Sequence, residues 1–252
     1  VRGFGSFVNK KRAKKIARYI DKMFVILPFE VDFYKKYHYE VTYVGNPVLD
    51  AVENYIPEIF INEEWMKKGQ TIALLPGSRK QELKMMLPLM IKLAEKNTNK
   101  FFIMAGVDHL KEMYPKELPS NLQILFNRSY DLLSVANAGV ITSGTASLEA
   151  SLFRLPHVVV YKMNKFNYAI VKLLVKVKYI SLVNLLMDKW VVKELVQKDM
   201  TFNKVNHELN ELINNQAYRE QMFEDFTSLR EIMSEANAPG NTAREIISVI
   251  NN

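Results

Sequence analysis

The feature that most constrains the fold is an alternation of apolar runs and helix-forming segments between residues 71 and 161. The apolar runs predict β-strands at Thr71–Leu75, Lys100–Ala105, Leu122–Phe126, Gly139–Thr142 and His157–Tyr161. Strands that alternate with helices in this way indicate a parallel sheet with right-handed crossovers. The ligands of such sheets bind at the carboxyl ends of the strands, so the turns at that edge are the place to look for a site.

The first of these turns lies in the stretch Val140–Glu149, where a strand, a turn of small residues and a helix follow one another. The first N–H groups of a helix have no internal partner, and with the positive end of the helix dipole they attract phosphate. Ser143, Gly144 and Thr145 would form this seat, and Glu149, one turn later, would bind ribose hydroxyls. The alternative is a βα turn of small residues that only packs closely.

The second turn follows the strand that ends at Leu75. Gly77 turns the chain, and Ser78 and Arg79 then face the same edge. A guanidinium at this position can donate paired hydrogen bonds to a diphosphate. The alternative is a helix cap followed by an exposed arginine. The turn lacks P-loop spacing, and the chain has no G-x-G-x-x-G motif.

Composition narrows the choice of chemistry. The 252-residue chain contains no cysteine, and its four histidines are far apart, so we expect no thiolate site and no protein-bound metal. No apolar run approaches the roughly 18 residues of a membrane span.

From Phe166 onward the pattern is mainly helical, with one short helix predicted at Val191–Leu195 and a break at Pro239-Gly240.

The net charge of +7 is unevenly distributed. Eight Lys or Arg lie in the first 22 residues, and six lie between Ala150 and Met187, where there is no Asp or Glu. Such clusters attract anionic membranes, nucleic acid or phosphorylated substrates, although an ordinary solvated face is the alternative. In the second cluster, apolar residues interleave with the lysines, as in an interfacial helix. The predicted membrane contacts are Lys165, Phe166, Lys172 and Lys176; the alternative is a helix packed on the core.

Several ordered motifs resemble the lipid-A-disaccharide synthase family. They are Leu75-Pro76-Gly77-Ser78-Arg79 with Glu82 and Pro88, Ser143-Gly144-Thr145-Ala146 with Leu148-Glu149, Tyr179-Ile180-Ser181-Leu182 with Asn184-Leu185, and Val192-Lys193-Glu194-Leu195 with Gln197. Upstream segments around Phe24–Glu30 and Val44–Asp50 are also similar. The resemblance extends over nearly the whole chain from about Lys10.

The resemblance implies an α/β fold of the two-domain GT-B type, in which a Rossmann-like parallel-sheet domain binds the nucleotide-sugar. The implied organisation is a remnant of the N-terminal Rossmann-like domain (1–50), a linker (51–70), the UDP-sugar donor domain (71–217) and C-terminal helices (218–252). Those helices would pack back on the N-terminal domain or on a partner subunit in a homodimer.

The family's activity would be inverting hexosyl transfer without metal or cofactor. It joins UDP-2,3-diacylglucosamine to 2,3-diacylglucosamine 1-phosphate (lipid X), and gives UDP and the β-1,6 disaccharide of lipid A. Arg79 and Asn184 match positions important for activity. The implied nucleotide-sugar contacts are Gly77, Ser78, Arg79, Ser143, Gly144, Thr145, Glu149 and Asn184. The implied location is cytoplasmic, peripheral to the anionic inner membrane, with no nucleic acid bound.

The family also has an N-terminal portion that this sequence lacks, and its proposed general base lies there. We therefore expect the 252-residue chain to be mainly the donor-binding part, able to bind UDP but inactive alone. Asn46 stands where the family commonly has histidine. Two other hypotheses for the function stay open. The chain could belong to another GT-B enzyme that uses UDP-N-acetylglucosamine, or it could be a non-catalytic basic protein that binds membranes or nucleic acid.

Overall fold

The computed structural model describes residues 15–16, 18–57, 70–163, 178–233 and 237–251. Its strands are β1 (Phe24–Val25), β2 (Thr42–Tyr43), β3 (Thr71–Leu75), β4 (Phe101–Gly106), β5 (Leu122–Phe126), β6 (Ala138–Thr142), β7 (His157–Tyr161) and β8 (Glu194–Val196). Its α-helices are α1 (Phe29–Lys35), α2 (Pro47–Glu53), α3 (Lys80–Lys96), α4 (Ser129–Val135), α5 (Thr145–Leu152), α6 (Leu182–Met187), α7 (Phe202–Asn214), α8 (Gln216–Met233) and α9 (Ala238–Ile250). Short 3₁₀ helices span Asp108–Met113 and Gln197–Asp199.

Six parallel strands form the main sheet, in the order β5-β4-β3-β6-β7-β8. The chain runs outward from β3 to β5 on one side, returns to place β6 beside β3, and then continues outward to β8. Leu75 at the end of β3 pairs with Ile141 near the end of β6. From β3 the chain continues to β4 on one side, and from β6 it continues to β7 on the other. The space between the ends of β3 and β6 is therefore the switch point where open α/β sheets bind ligands.

Helices cover both faces of this sheet. On β3, Ile72 and Leu74 pack in a cluster with residues of α3, α7 and α8. The intervening Ala73 and Leu75 pack with residues of α4 and α5 on the other face. Strands that are buried on both sides need apolar residues at every position, which explains the continuous apolar runs in the sequence.

The five strands predicted between residues 71 and 161 are all present in the structure. The predicted helix at Val191–Leu195 is wrong, because this segment leads into strand β8, where Leu195 pairs with Val160 of β7. The edge of the sheet offers unpaired backbone groups, and pairing with them outweighs the weak helical preference of so short a segment.

The start of the described chain is joined by polar contacts to the last two helices, α8 and α9. The two short strands β1 and β2 pair in parallel. The Tyr43 hydroxyl donates to the carbonyl oxygen of Met233 at 2.8 Å. The Asp50 carboxylate accepts hydrogen bonds from the backbone N–H groups of Asn237 and, at 2.8 Å, Ala238. Helix α9 thus packs back on the first segment, while the predicted domain limits themselves stay a prediction.

Pro239 and Gly240 do not separate two helices in the predicted way. Helix α9 begins at Ala238, so both residues lie in its first turn. Proline fits there because the first N–H groups of a helix have no intrahelical partner. The side chain of Asn237 caps this turn by accepting a hydrogen bond from the N–H of Gly240 at 3.1 Å.

Candidate functional site

A cavity of about 650 Å³ opens at the switch point between β3 and β6. The turns after β3, β4, β5 and β6 all contribute to its wall, through Leu75–Arg79, Ala105–Val107, Asn127 and Ser129, and Thr142–Ala146. Glu82, Glu149, Ile180 and Leu182 complete it. The predicted nucleotide-sugar contacts Gly77, Ser78, Arg79, Ser143, Gly144, Thr145 and Glu149 all line this one cavity. Asn184 does not.

Glu82 holds the β3–α3 turn together. Its Oε2 accepts hydrogen bonds from the backbone N–H groups of Ser78 at 3.0 Å and Arg79 at 3.3 Å. Gly77 has a φ of +99°, and a Cβ there would lie 2.4 Å from Glu82 Oε2. Glycine is therefore required by conformation and by the close approach of the carboxylate.

Arg79 lies at the mouth of the cavity, with its side chain 80% exposed. Its Nη1 is 2.8 Å from Glu82 Oε1. An exposed ion pair of this kind contributes little to stability, so the guanidinium can exchange its carboxylate for another anion at small cost. The predicted role of Arg79 as a diphosphate ligand is compatible with this position.

The N-terminus of α5 opens directly into the cavity. Gly144, Thr145 and Ala146 line the wall, and among the described residues no side chain caps this helix. By contrast, the first turn of α3 is capped by Glu82 and that of α6 by Ser181. A Cβ built at Gly144 would meet no atom of the described chain within 4 Å, so these residues leave the space in front of the turn open. Uncapped N–H groups beside open space form an anion seat.

The hydroxyls of Thr142 and Ser143, which precede Gly144, differ in their bonding. The Ser143 hydroxyl donates to the carbonyl oxygen of Ile180 at 2.8 Å, which ties the turn to the opposite wall. The hydroxyl of Thr142 is buried, and within the described residues it has no hydrogen-bond partner. A buried hydroxyl without a partner is costly in a protein interior. Thr142 is therefore a further candidate for contact with a bound ligand.

Glu149 lies at the inner wall, half-buried, and its Oε1 accepts a hydrogen bond from the Tyr130 hydroxyl at 3.2 Å. Burial raises the pKa of the Glu149 carboxyl above its usual range, and the bond from Tyr130 partly opposes this shift. Burial and the neighbouring carboxylate also raise the pKa of Tyr130, so the phenol stays protonated and donates. Tyr130 is itself held by edge-to-face contacts with Tyr55 and Phe153.

Asn184 lies outside this group, because it is part of α6 and is fully buried there. Its Oδ1 accepts from the N–H groups of Val191 and Val192, both at 2.9 Å. Its Nδ2 donates to the carbonyl oxygen of Val192 and to Glu194 Oε1, both at 2.8 Å. These four bonds use the whole capacity of the amide. The structure gives Asn184 a role in holding the fold, and its predicted catalytic role stays a prediction.

Glu194 connects this network to the cavity wall. Its carboxylate accepts hydrogen bonds from the N–H groups of Ile180 and Ser181, both at 3.0 Å, and from the Ser181 hydroxyl at 2.8 Å. Ile180 in turn receives the bond from Ser143. Asn184 is therefore linked to the cavity wall through the Glu194 carboxylate and does not line the cavity itself.

The sequence pattern did not reveal the contributions of Tyr130, Gly106 or Asn127. Each lies at or just beyond the carboxyl end of β4 or β5, at the same sheet edge as the two turns that were recognised. Because ligands of parallel sheets bind at the carboxyl ends of the strands, the ends of β4 and β5 are also expected to belong to the site. The bond between Tyr130 and Glu149, by contrast, depends on tertiary packing.

The predicted membrane contacts Lys165, Phe166, Lys172 and Lys176 lie outside the described residues. Within the described ranges, no helix is long and apolar enough to cross a membrane. No group of three or more His, Cys, Asp or Glu that could hold a metal occurs in those ranges either.

Comparisons with known proteins identify the relatives of this chain. The sequence profile of the family described as lipid-A-disaccharide synthetase matches residues 8–246. A lipid-A-disaccharide synthase from Anaeromyxobacter dehalogenans is 32% identical over 249 residues, covering 95% of this chain. One from Acinetobacter baylyi is 30% identical and also covers 95% of it. The chain spans 65% and 64% of the lengths of these two relatives.

Solved structures share the fold at low sequence identity. The complex of S. aureus MnaA with UDP superposes with a TM-score of 0.63 at 13% identity, covering 98% of this chain and 66% of that one. The spinosyn rhamnosyltransferase SpnG with thymidine diphosphate gives 0.53 at 13% identity, covering 82% and 55%. These likenesses show the GT-B fold. Since the family profile runs through almost the whole sequence, the chain belongs to the lipid-A-disaccharide synthetase family.

Proposed function

We propose that this chain supplies the donor-binding part of an inverting glycosyltransferase of lipid A biosynthesis. The reaction joins UDP-2,3-diacylglucosamine to 2,3-diacylglucosamine 1-phosphate, and forms the β-1,6 disaccharide and UDP. The observation that carries the proposal is the cavity at the switch point. There an exposed arginine and a half-buried carboxylate meet a helix N-terminus that, within the described residues, has no side-chain cap. Family membership supplies the reaction class.

Each element of the cavity has a distinct role in this proposal. The diphosphate of the donor lies against Gly144 and the first N–H groups of α5, where the helix dipole favours negative charge. Arg79 leaves Glu82 and pairs with the diphosphate, so that it stabilises the charge that develops on the leaving UDP. Glu149 accepts hydrogen bonds from the ribose hydroxyls. These groups stabilise the leaving charge without a metal or a cofactor.

The location and partners belong to the same proposal. The acyl chains of both substrates require an enzyme that works at the surface of the inner membrane, on its cytoplasmic side where UDP-sugars are available. The basic sequence clusters favour an anionic surface of this kind. A homodimer through the C-terminal helices is part of the same family-based expectation.

The decisive experiment is a UDP titration of the 252-residue chain by calorimetry and thermal denaturation. We expect UDP at 100 times its Kd to stabilise the fold by about 2.7 kcal/mol. Arg79→Ala should weaken UDP binding about tenfold or more, because a charge-assisted bond to the diphosphate is lost. Uridine binding should not change. Lys96→Ala at the other end of α3 is the matched control and should behave like the parent chain.

Two results would count against the proposal. Saturating UDP that neither stabilises the folded chain nor binds in calorimetry would remove the donor site. Equal losses in Arg79→Ala and Lys96→Ala would instead remove the specific role of Arg79, and leave only general electrostatic attraction. The predicted inactivity of the isolated chain is tested separately by assaying disaccharide formation, and measurable turnover would overturn it.

A further inference from the structure

Three aromatic rings pack together beside the Glu149 carboxylate. The ring of Tyr130 lies edge-to-face against Tyr55, with centroids 5.3 Å apart, and against Phe153 at 5.1 Å. Tyr55 and Phe153 also meet edge-to-face, at 5.9 Å. All three side chains are half-buried. Each aromatic pair of this kind can shift an equilibrium by about two- to tenfold, so the three contacts together hold each ring in place.

One ring of this aromatic cluster holds the Glu149 carboxylate. Among the described residues, the Tyr130 hydroxyl is the one hydrogen-bond partner of Glu149, and it lies 3.2 Å from Oε1. In the same part of the chain the carboxylate takes part in no ion pair. A glutamate side chain has several rotatable bonds, so a single hydrogen bond decides where its oxygens point. The direction of the carboxylate therefore depends on the position of the Tyr130 ring.

The three rings come from different parts of the chain. Phe153 follows α5 directly, about one turn after Glu149, so its position is tied to that of the carboxylate. Tyr130 lies in the first turn of α4. Tyr55 belongs to neither helix, because it follows α2 at the start of the predicted linker. It is the member of the cluster whose position the donor-binding elements do not themselves determine.

Helix α2 determines where the Tyr55 ring lies, and this helix is fixed from two sides. Its buried residues pack in one cluster with those of α5. On the other side, the Asp50 carboxylate accepts a hydrogen bond from the start of α9, and Glu53 Oε1 lies 2.8 Å or less from α8, with Arg230 Nη2 at 2.7 Å. The contact between Tyr55 and Tyr130 thus joins the N-terminal segment to the wall of the cavity.

We propose that Tyr55 is a positioning residue for the donor site. Its ring holds Tyr130 in place, so that the Tyr130 hydroxyl directs the Glu149 carboxylate toward the ribose of the nucleotide. This inference rests on the proposed function, in which Glu149 accepts hydrogen bonds from the ribose hydroxyls. Tyr55 does not line the cavity, so it acts on the nucleotide through Tyr130.

The test compares UDP with 2′-deoxy-UDP, which has the same diphosphate but lacks one ribose hydroxyl. The ratio of their Kd values, measured by calorimetry on the 252-residue chain, reports the ribose contact and cancels effects on the diphosphate. In the parent chain we expect UDP to bind about tenfold more tightly, because a hydrogen bond to a carboxylate is charge-assisted. Tyr55→Leu should lower this preference about threefold or more, whereas Tyr55→Phe keeps the ring and should retain it within about twofold.

Two further variants separate positioning from a general loosening of the fold. Tyr37 is also half-buried in the N-terminal segment, with its ring 5.3 Å from that of Phe33, so Tyr37→Leu is the matched control and should keep the parent preference. The double variant Y55L/Y130F should show the preference of Tyr130→Phe alone, because Tyr55 acts through the hydroxyl that this variant lacks. Thermal denaturation of each variant sets a titration temperature at which all of them are folded.

The other outcomes overturn the inference in distinguishable ways. An unchanged preference in Tyr55→Leu would show that the ring does not position the carboxylate, and an equal fall in Tyr37→Leu would reduce the effect to loosening. A fall in Tyr55→Phe as large as that in Tyr55→Leu would assign the effect to the Tyr55 hydroxyl. A parent chain that binds UDP and 2′-deoxy-UDP equally would remove the ribose contact, while the donor site stands. Absence of UDP binding in the parent chain would instead refute the proposed function.

Discussion

Replacing Gly77 by alanine tests whether the β3–α3 turn depends on the close approach of Glu82. The new Cβ would lie 2.4 Å from Glu82 Oε2 and 2.7 Å from Glu82 Cβ, so the carboxylate has to move. Its hydrogen bonds to the N–H groups of Ser78 and Arg79 would then be lost. Lost bonds of this kind and the unfavourable φ of +99° together cost about 3–4 kcal/mol.

Gly144→Ala is the matched control for this prediction, because Gly144 lines the same cavity and also follows a buried strand. In the described part of the chain nothing lies within 4 Å of its Cβ position, so only the backbone cost of about 1–2 kcal/mol applies. Urea unfolding of both variants at pH 7 measures the difference, which we expect to be about 2 kcal/mol. Equal destabilisation of the two variants would refute the reasoning, since it would leave no contribution from Glu82.

Three further predictions concern groups around the cavity and the core. Tyr130→Phe removes a hydrogen bond that lowers the pKa of Glu149, so UDP affinity should fall about three- to tenfold. The loss of UDP affinity in acid should also begin at a higher pH than in the parent chain, which a plot of Kd against pH measures. His157 is buried with its pKa lowered to about 4, so stability is full above its ordinary pKa of 6.5 and is lost as the pH falls from there through 4. That loss amounts to about 3 kcal/mol, and urea unfolding across this range should show a flatter profile for His157→Gln. Asn184→Asp places a carboxylate beside Glu194 and should lower stability by about 3 kcal/mol in thermal denaturation, with UDP affinity retained below the transition.

Each of these three predictions has an outcome that contradicts it. An unchanged acid limb in Tyr130→Phe would show that Glu149 does not need its partner. A stability profile for His157→Gln as steep as that of the parent would assign the acid sensitivity to other groups. An Asn184→Asp variant that unfolds at the parent temperature but fails to bind UDP would give Asn184 a direct contact with the ligand, contrary to its buried position.

The edge of the sheet that holds the cavity could be predicted because the relevant signals are local. Apolar runs mark strands, small residues mark the turns after them, and parallel pairing brings the turns of β3 and β6 together. Ser143, Gly144, Thr145 and Arg79 all follow from that reasoning and line the cavity.

The contributions that could not be predicted depend on contacts between distant segments. Asn184 matches a motif, but its burial follows from the way β8 pairs with β7 and closes the α6–β8 connection. The same pairing explains why Glu194–Val196 forms a strand, although the sequence pattern predicts a helix at Val191–Leu195. Tyr130 contributes because α4 and α5 pack in one cluster on the same face of the sheet, which brings its hydroxyl to Glu149 across 19 residues of sequence.

The contact between Asp50 and the start of α9 also has a consequence for the order of folding. The carboxylate caps a helix 187 and 188 residues further along the chain. Closing so long a loop is entropically unfavourable until most of the intervening chain is compact. The six-stranded sheet should therefore form first, and α9 should then dock together with the segment that carries β1 and β2. In hydrogen exchange, α9 and α2 should open together and at lower free energy than β3 and β6.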